Sequence, residues 1–168
     1  MKKLVVLCGH VGSGKSTLAE KIIDQAPGFA FFDVFSKIKK YKDKNGTIAK
    51  ELSNKAYQEL YDEISKKDGD ILLEIGVNHS DFNFKQLNKL KNKFDIKIFF
   101  CLLDHNECKR RVAERALKNP NRFIHPQMLE DKFKIDFPNL HKSLAEKYTL
   151  PYSFLNMCDS HRDEILNL

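Results

Sequence analysis

The segment Gly9–Ser16, which reads GHVGSGKS, constrains the fold of this chain more than any other feature. It matches the pattern GxxxxGK[ST] without departure. The apolar run Leu4–Cys8 before it predicts a buried strand, and the apolar spacing after Lys15 predicts a helix to about Gln25. A glycine-rich turn between a strand and a helix directs backbone amides and a helix N-terminus at one anion. The sequence therefore predicts a phosphate-binding loop.

The polar residues at the end of this loop favour a nucleoside triphosphate as its ligand. Lys15 can reach the β- and γ-phosphates, and the Ser16 hydroxyl can ligate Mg²⁺. The motif alone is silent on what is done with the nucleotide, and the His10 side chain has no expected role of its own. The residues expected to bind the nucleotide here are Gly9, His10, Val11, Gly12, Ser13, Gly14, Lys15, Ser16 and Thr17.

Apolar runs alternate with helical patterns along the rest of the chain. The runs predict strands at Phe29–Phe32, Ile71–Ile75, Ile96–Leu103 and Tyr152–Leu155. The helical patterns lie at about 15–25, 47–67, 85–93, 104–118, 126–136 and 139–147, and Ser160 is predicted to cap a short last helix. Such alternation indicates a parallel sheet covered on both faces. We predict one α/β domain over residues 1–168, with a doubly wound, parallel, five-stranded sheet and helices on both faces.

Composition excludes several other classes. Of the 168 residues, 42% are hydrophobic and 31% are charged, which excludes a disordered chain or a collagen-like fibre. No apolar run approaches the roughly 18 residues of a membrane helix, and the first apolar stretch is too short for a signal peptide. We therefore expect a cytoplasmic protein with no membrane partner. The cysteines show neither a CxxC pair nor zinc spacing, so free thiols are expected.

The net charge of +6 leaves two interpretations open. It fits an anionic partner such as a nucleotide, a phosphate ester or a nucleic acid, and it also fits a surface of solvated lysines. The same alternatives apply to a dense lysine run after the second strand, for which we favour an anionic acceptor. This run contains Lys37, Lys39, Lys40, Lys42 and Lys44.

Two carboxylates near strand ends are candidate functional groups. In an open parallel sheet, ligands bind beyond the carboxyl ends of the strands. Asp33 ends the second strand and could accept the proton of an attacking hydroxyl, or could cap a helix near Ser36. Glu74 is the one charged residue in an apolar strand. It could hold a Mg²⁺-bound water or act as the base, or it could simply reach solvent.

The arginines are concentrated in one segment. Four of the five fall within thirteen residues: Arg110, Arg111, Arg115 and Arg122. Arg111 and Arg115 are four residues apart and share a helix face. We expect Arg115 to balance charge during phosphoryl transfer, Arg111 to stack on the base, and Arg122 to belong to a closing lid. The alternative is an exposed helix whose arginines pair with Glu107 and Glu114.

These features together resemble the P-loop small-kinase group, nearest to its zeta-toxin-like and polynucleotide-kinase-like branch. The resemblance covers nearly the whole chain and rests on GHVGSGKST, Asp33, the ILLE strand end at Glu74, and the RxxxR spacing of Arg111 and Arg115. It implies a sheet in the order 2-3-1-4-5, ATP with Mg²⁺, and transfer of the γ-phosphate to a hydroxyl. It also implies that Asp33 is the base and that adenine lies between Arg111 and a loop at about 156–160.

The resemblance also suggests an acceptor-binding segment at about 34–68 and a lid at about 111–126. Relatives often carry an arginine shortly after the strand-two Asp, where this chain offers Lys37 as the substrate contact. Nucleoside monophosphate kinases use an arginine between the second and third strands, and this chain has none before Arg110. Lysines can replace such arginines only as point charges.

We therefore expect a kinase whose acceptor is a nucleoside, a nucleotide, a sugar nucleotide or a polynucleotide 5′-end. A nucleoside monophosphate kinase is the alternative enzyme. A nucleotide-dependent switch is a second class, although its guanine-reading motif NKxD is represented only by Asn88-Lys89-Leu90-Lys91. A nucleic-acid-binding module is a third class, and it would leave the phosphate loop unused. The sequence does not predict an oligomeric state.

Overall fold

A computed structural model describes residues 1–158 and contains one all-parallel sheet of five strands. The strands are β1 (Lys2–Cys8), β2 (Ala30–Asp33), β3 (Ile71–Ile75), β4 (Phe94–Leu102) and β5 (Tyr152–Asn156). The helices are α1 (Lys15–Gln25), α2 (Val34–Lys39), α3 (Lys50–Lys66), α4 (Ser80–Leu90), α5 (His105–Lys118), α6 (Pro126–Phe133) and α7 (Asn139–Lys147). A 3₁₀ turn at Pro120–Arg122 lies between α5 and α6. The strand order is β2-β3-β1-β4-β5, which confirms the predicted topology.

The central strand β1 is buried on both faces, which explains its continuous apolar run. Leu4, Val6 and Cys8 belong to one core cluster, and Val5 and Leu7 belong to the other. The first cluster includes residues of α3, α4 and α7, and the second includes Leu18, Ala19 and Ile22 of α1. Helices therefore cover both faces of the sheet, as the sequence predicts. Cys8, Cys101 and Cys108 are buried free thiols, as expected.

Several element boundaries differ from the predicted ones. Helix α3 begins at Lys50 rather than at Thr47, because the Asp43 carboxylate accepts hydrogen bonds from the backbone N–H groups of Asn45 and Thr47, at 2.8 and 2.9 Å. The backbone N–H group of Thr47 is therefore hydrogen-bonded in this turn, outside the helix. Helix α4 begins at Ser80, five residues before its predicted start at Lys85.

A further boundary difference lies in the C-terminal half. Helix α6 ends at Phe133 instead of near Asp136. The short helix α2 is the helix near Ser36 that the sequence left as an alternative role for Asp33. The helix predicted to be capped by Ser160 lies outside the described residues.

The strand register brings the candidate groups to one edge of the sheet. Glu74 of β3 is paired with Leu7 of β1 on one side and with Asp33 of β2 on the other. The glycine loop leaves the same end of β1, so the loop and both carboxylates meet at the carboxyl edge.

Candidate active site

The glycine loop folds tightly between β1 and α1. Gly12 and Gly14 have φ angles of +82° and +93°, a region that other residues rarely adopt. A Cβ placed on Gly12 would lie 2.5 Å from the carbonyl oxygen of Cys108, so the loop lies directly against α5. Gly14 then occupies the N-cap of α1, and the backbone N–H of Leu18 donates to its carbonyl at 3.0 Å. The first N–H groups of a helix have no partner within the helix, so those at the start of α1 are available to an anion.

Lys15 is the cation of this loop. Its side chain is only 6% exposed, and its Nζ donates a hydrogen bond of 2.8 Å to the carbonyl oxygen of His10. This contact folds the lysine back across the loop. The ammonium group therefore lies where the loop amides also converge, which is the position that phosphate binding requires.

Ser16 links the loop to β3. Its hydroxyl donates to Glu74 Oε1 at 3.0 Å, across 58 residues of sequence. Two oxygen donors of the kind that Mg²⁺ prefers therefore lie side by side at the start of α1. The alternative in which Glu74 only reaches solvent does not describe this carboxylate, since it accepts a bond from the loop.

Asp33 caps helix α2. Its Oδ1 accepts from the backbone N–H of Ser36 at 2.8 Å, and the Ser36 hydroxyl donates to the Asp33 carbonyl at 3.0 Å. The helix-cap interpretation of Asp33 is therefore present in the structure. It engages one carboxylate oxygen, and Oδ2 has no hydrogen bond within residues 1–158.

Arg115 lies within the electrostatic range of Glu74. Burial lowers the pKa of its guanidinium, the charge of Arg122 lowers it further, and the charge of Glu74 opposes both. Arg115 is half-buried, and its side chain makes no hydrogen bond or ion pair with the described part of the chain. The structure thus brings Arg115 and Arg122 together near the Ser16–Glu74 pair.

Arg111 lies on the other side of the loop. Its Nε donates to Glu107 Oε1 at 2.8 Å. A Cβ placed on Gly14 would lie 3.4 Å from Arg111 Nη1 and 3.5 Å from Cε of Met157. The guanidinium therefore lies beside the loop, opposite the chain that leaves β5. The expected adenine position, between Arg111 and residues 156–160, is only partly within the described residues.

Arg110 fits the alternative interpretation of the arginine cluster. It pairs with Glu107 at 2.7 Å and also with Glu114, along the exposed face of α5. The hydrogen bonds from Arg110 and Arg111 lower the pKa of Glu107 to about 2. The four arginines therefore serve at least two purposes, since Arg110 stabilises the helix surface while Arg115 lies near Glu74.

Lys37 is held within the protein. Its Nζ pairs with Glu63 of α3, and its side chain is only 12% exposed. The hydroxyl of Tyr41 similarly donates to Glu59. Part of the lysine run therefore packs against α3. The Nζ of Lys42 lies 5.3 Å from the ring centroid of Phe35.

The contacts of two side chains near the loop could not be predicted from the sequence. His10 is 3% exposed, and its ring packs 4.7 Å from Phe133, 4.9 Å from His105 and 5.4 Å from Phe137. Burial, aided by the charge of His105, lowers its pKa to about 4. Lys132 is the second, and it is half-buried beside Phe133. No sequence pattern identifies either contact, because α6 is distant along the chain.

A family comparison agrees with this geometry. The profile of the AAA_33 family, described as an AAA domain, matches residues 4–129. The chain belongs to this family. The matched range contains the glycine loop, both strand-end carboxylates and the arginines of α5, whereas Lys132 lies beyond it. A search of curated proteins found no match.

Solved structures of low sequence identity share the fold of this AAA-family chain. A proposed kinase from Chloroflexus aurantiacus is 12% identical with a TM-score of 0.70, covering 99% of this chain and 95% of that chain. A shikimate kinase from Acinetobacter baumannii is 15% identical with a TM-score of 0.65, covering 99% and 90%. A gluconokinase from Sinorhizobium meliloti is 12% identical with a TM-score of 0.65, covering 98% and 87%. The predicted P-loop small-kinase fold is confirmed.

None of the helices within residues 1–158 is both long enough and apolar enough to cross a bilayer.

Proposed function

We propose that the protein is an ATP- and Mg²⁺-dependent phosphotransferase that moves the γ-phosphate of ATP to a hydroxyl group. The observation that carries this proposal is the 3.0 Å hydrogen bond between Ser16 Oγ and Glu74 Oε1. It joins the phosphate loop to a carboxylate whose register neighbour is Asp33. A phosphate site, two oxygen donors and a second carboxylate are therefore assembled at one sheet edge, where P-loop kinases bind their ligands.

The loop residues would bind and orient the triphosphate. The backbone amides from Gly12 to Ser16 and the ammonium of Lys15 would hold the β- and γ-phosphates. The oxygens of Ser16 and Glu74 fit Mg²⁺, because this ion takes oxygen ligands and usually keeps waters and phosphate oxygens as well. When bound there, the ion would neutralise charge on the phosphoryl group.

Asp33 would act as the base. The acceptor oxygen forms a bond to the γ-phosphorus while the bond to the β–γ bridging oxygen breaks and ADP leaves, and the hydroxyl proton passes to Asp33. The bond from Ser36 to Oδ1 fixes the carboxylate and leaves Oδ2 for the acceptor. Capping and catalysis are therefore compatible in one residue.

The arginines would complete the site. Arg115 lies near Glu74 without a hydrogen-bonding partner in the described chain, so its guanidinium is available to a phosphoryl group in transit. Arg122 would approach from a lid at about 111–126. A cavity of about 530 Å³ separates α5 from the 123–130 segment, which leaves room for this segment to move.

The proposed acceptor is the hydroxyl of a nucleoside, a sugar nucleotide or a polynucleotide 5′-end. The fold neighbours named for shikimate and gluconate add small hydroxy acids to this set. The net charge of +6 favours an acceptor with an anionic group. We also propose that the protein acts in the cytoplasm.

The decisive experiment is a transfer assay with a pooled set of acceptors. The purified protein is incubated with ATP, Mg²⁺, nucleosides, nucleoside monophosphates, sugar nucleotides, 5′-hydroxyl oligonucleotides, shikimate and gluconate, and products are followed by mass. One acceptor class gaining one phosphoryl group is the expected result. Transfer to nucleoside monophosphates alone would contradict the proposal and identify a nucleoside monophosphate kinase. ATP hydrolysis with every acceptor unmodified would support a switch ATPase.

Two substitutions assign the roles within this assay. Lys15→Ala should abolish transfer while the protein remains folded. Asp33→Asn should keep the helix cap and ATP affinity but reduce transfer at least about a hundredfold, the range for loss of a general base. Asp104→Asn is the matched control, because Asp104 caps α5 in the same way. An equal loss of ATP affinity in Asp33→Asn would make Asp33 a structural or metal-linked residue.

A further inference from the structure

The loop between β3 and α4 begins beside the phosphate loop. The backbone N–H of Gly9, the first residue of the phosphate loop, donates to the carbonyl oxygen of Ile75 at 3.4 Å. Ile75 is the last residue of β3 and directly follows Glu74. Residues 76–79 therefore leave the sheet at the edge where the proposed base and the metal ligands lie.

His79 ends this loop in a backbone conformation that favours glycine. Its φ angle is +53°, and within residues 1–158 only one other non-glycine residue, Thr149, has a positive φ. Backbone strain of this kind is concentrated at functional sites and persists where the surroundings hold it. The His79 carbonyl accepts from the backbone N–H of Asn83 at 2.9 Å, but its side chain forms no cap bond to α4. The helix therefore does not use the imidazole, which is exposed.

A buried polar network holds the loop in this conformation. The Asn83 side chain donates to the carbonyl oxygen of Asn78 at 3.1 Å and accepts from the hydroxyl of Tyr61 at 3.0 Å. Asn83 and Tyr61 are almost fully buried. Networks whose members are paired in this way fix the groups that they support. The position of His79 is therefore determined by the fold before any ligand binds.

The imidazole of His79 packs on Tyr57 of α3. The two ring centroids are 4.3 Å apart, and the planes meet at 40°. Helix α3 ends shortly before β3 begins, so it runs opposite to the strands and its first half lies toward their carboxyl edge. Tyr57 is 4% exposed, and its hydroxyl has no hydrogen bond with any residue from 1 to 158. An enclosed hydroxyl without a partner indicates a ligand or a water that completes it.

Both groups are neutral, and each can donate as well as accept. Partial burial, and then the charge of Lys50, lowers the pKa of His79, so the imidazole is neutral at pH 7. Burial raises the pKa of Tyr57 to about 12, so the phenol keeps its proton. A neutral imidazole has one N–H donor and one acceptor nitrogen, and a phenol combines both functions in one oxygen. Such a pair matches a hydroxyl group, which also donates and accepts, better than it matches an anion.

We propose that His79 and Tyr57 bind a second hydroxyl group of the phosphate acceptor. This inference rests on the proposed transfer to a hydroxyl, and it narrows the acceptor to a sugar or another polyol, either free or within a nucleoside. The bound hydroxyl is not the one that is phosphorylated, so the two residues determine specificity and do not touch the reacting atoms. A site built to bond to a hydroxyl disfavours the analogue that lacks it.

A binding experiment tests this site without requiring transfer. The full chain is saturated with Mg²⁺ and a non-hydrolysable ATP analogue, and D-glucose, D-ribose or adenosine is titrated. The ring-proton NMR signals of His79, assigned by their absence in His79→Gly, are followed. At least one compound should shift these signals, and its 2-deoxy or 3-deoxy counterpart should bind about tenfold more weakly. Signals that respond to inorganic phosphate alone, or to none of the compounds, overturn the proposal.

Two variants and one matched control decide the assignment. Tyr57→Phe removes one hydroxyl and keeps the ring, and His79→Gly removes the imidazole and relieves the positive φ. Each should reduce the preference for the hydroxyl compound about tenfold while binding the ATP analogue within about twofold of wild type. Thr149→Gly is the control, because Thr149 has a φ of +51° and lies before β5, at the opposite edge of the sheet.

The comparison between the variants can contradict the proposal in two ways. An equal preference for the hydroxyl compound in His79→Gly and Thr149→Gly overturns it, since the two variants then share only the relief of backbone strain. A parallel loss of ATP-analogue affinity in Tyr57→Phe assigns the Tyr57 hydroxyl to the nucleotide and also overturns it.

The transfer assay supplies an independent readout. With the acceptor that the pooled assay identifies, Tyr57→Phe and His79→Gly should raise the acceptor KM about tenfold with kcat nearly unchanged. A lower kcat at unchanged KM would place the pair in the chemical step and overturn the proposal. Absence of transfer with an intact response of the His79 signals would refute the proposed function and leave the hydroxyl-binding site standing.

Discussion

Gly12 is the residue at which the phosphate loop has least space. Its φ angle is +82°, and an added Cβ would lie 2.5 Å from the backbone oxygen of Cys108. The contact partner is backbone, so it cannot move aside as a flexible side chain would. The absence of a Cβ at position 12 therefore permits both the conformation of the loop and the close packing of α5 against it.

Gly12→Ala should consequently harm both stability and nucleotide binding. The left-handed backbone costs about 1–2 kcal/mol for a residue with a side chain, and the clash with Cys108 adds to it. We expect the free energy of unfolding to fall by about 2–3 kcal/mol and ATP affinity to fall at least tenfold. Urea denaturation and calorimetric ATP titration measure the two effects.

Substitutions at two other glycines distinguish the cost of backbone strain from the cost of the steric clash. Gly69 has a φ of +99° but nothing within 4 Å of an added Cβ, and Gly28 has neither constraint. Gly69→Ala should lower the free energy of unfolding only by the cost of the left-handed backbone. Gly28→Ala should leave the free energy of unfolding unchanged. Equal effects of all three substitutions on ATP affinity would contradict the account of the loop.

At the scale of the element, the Glu107 carboxylate of helix α5 accepts hydrogen bonds from two arginines, and a second carboxylate caps the helix. Asp104 caps the helix by accepting from the N–H groups of Asn106 and Glu107, at 2.9 and 3.2 Å. Glu107 then accepts from Arg110 and Arg111. The first turn of the helix therefore contributes to the orientation of the guanidinium that lies beside Gly14.

Glu107→Gln should weaken this contribution to the orientation of Arg111. We expect the KM for ATP to rise severalfold with kcat nearly unchanged, because Arg111 is proposed to contact the base and not the transferred group. Since the pKa of Glu107 is lowered to about 2, its carboxylate stays ionised at any pH suited to the assay. The wild-type advantage should therefore persist from about pH 5 to pH 8.

The control for this substitution is Glu114→Gln. Glu114 pairs with Arg110 and not with Arg111, so it removes a charge from the same helix without touching the arginine at the loop. If both variants raise the KM for ATP equally, the effect is one of net charge and not of Arg111 orientation.

Elements with strong apolar patterns could be predicted from sequence, and those defined by distant partners could not. Strand β3 has its predicted bounds, because five consecutive residues are apolar except for Glu74. The early start of α4 was missed because it depends on Phe84, buried in the core, and on Asn83, which accepts a 3.0 Å hydrogen bond from Tyr61 of α3. Neither contact has a local signal.

At the scale of the whole molecule, the same distinction applies to the site. Lys15, Ser16 and Glu74 could be placed together from sequence, since a parallel sheet in this order sets β3 beside β1. Lys132 and the packing of His10 could not, because both follow from α6 folding back over the loop. The sequence thus predicts the part of the site built on strands, and the part built by later helices requires the structure.

Two buried histidines link these late helices to the core. His10 and His141 are 3% and 0% exposed, and Phe137 packs against both rings, at 5.4 and 5.0 Å. The ring nitrogens of both have no hydrogen-bond partner within residues 1–158. Burial lowers the pKa of each to about 4. The folded protein therefore keeps both rings neutral in mildly acidic solution.

This burial predicts a loss of stability in acid. An unfolded histidine titrates near pH 6.5, so between about pH 6.5 and pH 4 the unfolded state binds more protons than the folded state. The free energy of unfolding must fall as the pH drops through that window, by about 1–2 kcal/mol per histidine at pH 5. His141→Leu removes one titrating group and two unpaired nitrogens from an aromatic pocket, so stability at pH 7 should be unchanged or higher.

Urea denaturation at pH 7 and pH 5 measures this effect. The stability lost between the two pH values should be smaller in His141→Leu by about 1–2 kcal/mol, the contribution of one buried histidine. His125→Asn is the control, because His125 is exposed and an asparagine keeps an acceptor at the start of α6. The control should lose as much stability as wild type. An equal loss in His141→Leu would show that the acid sensitivity arises elsewhere than at the rings packed around Phe137.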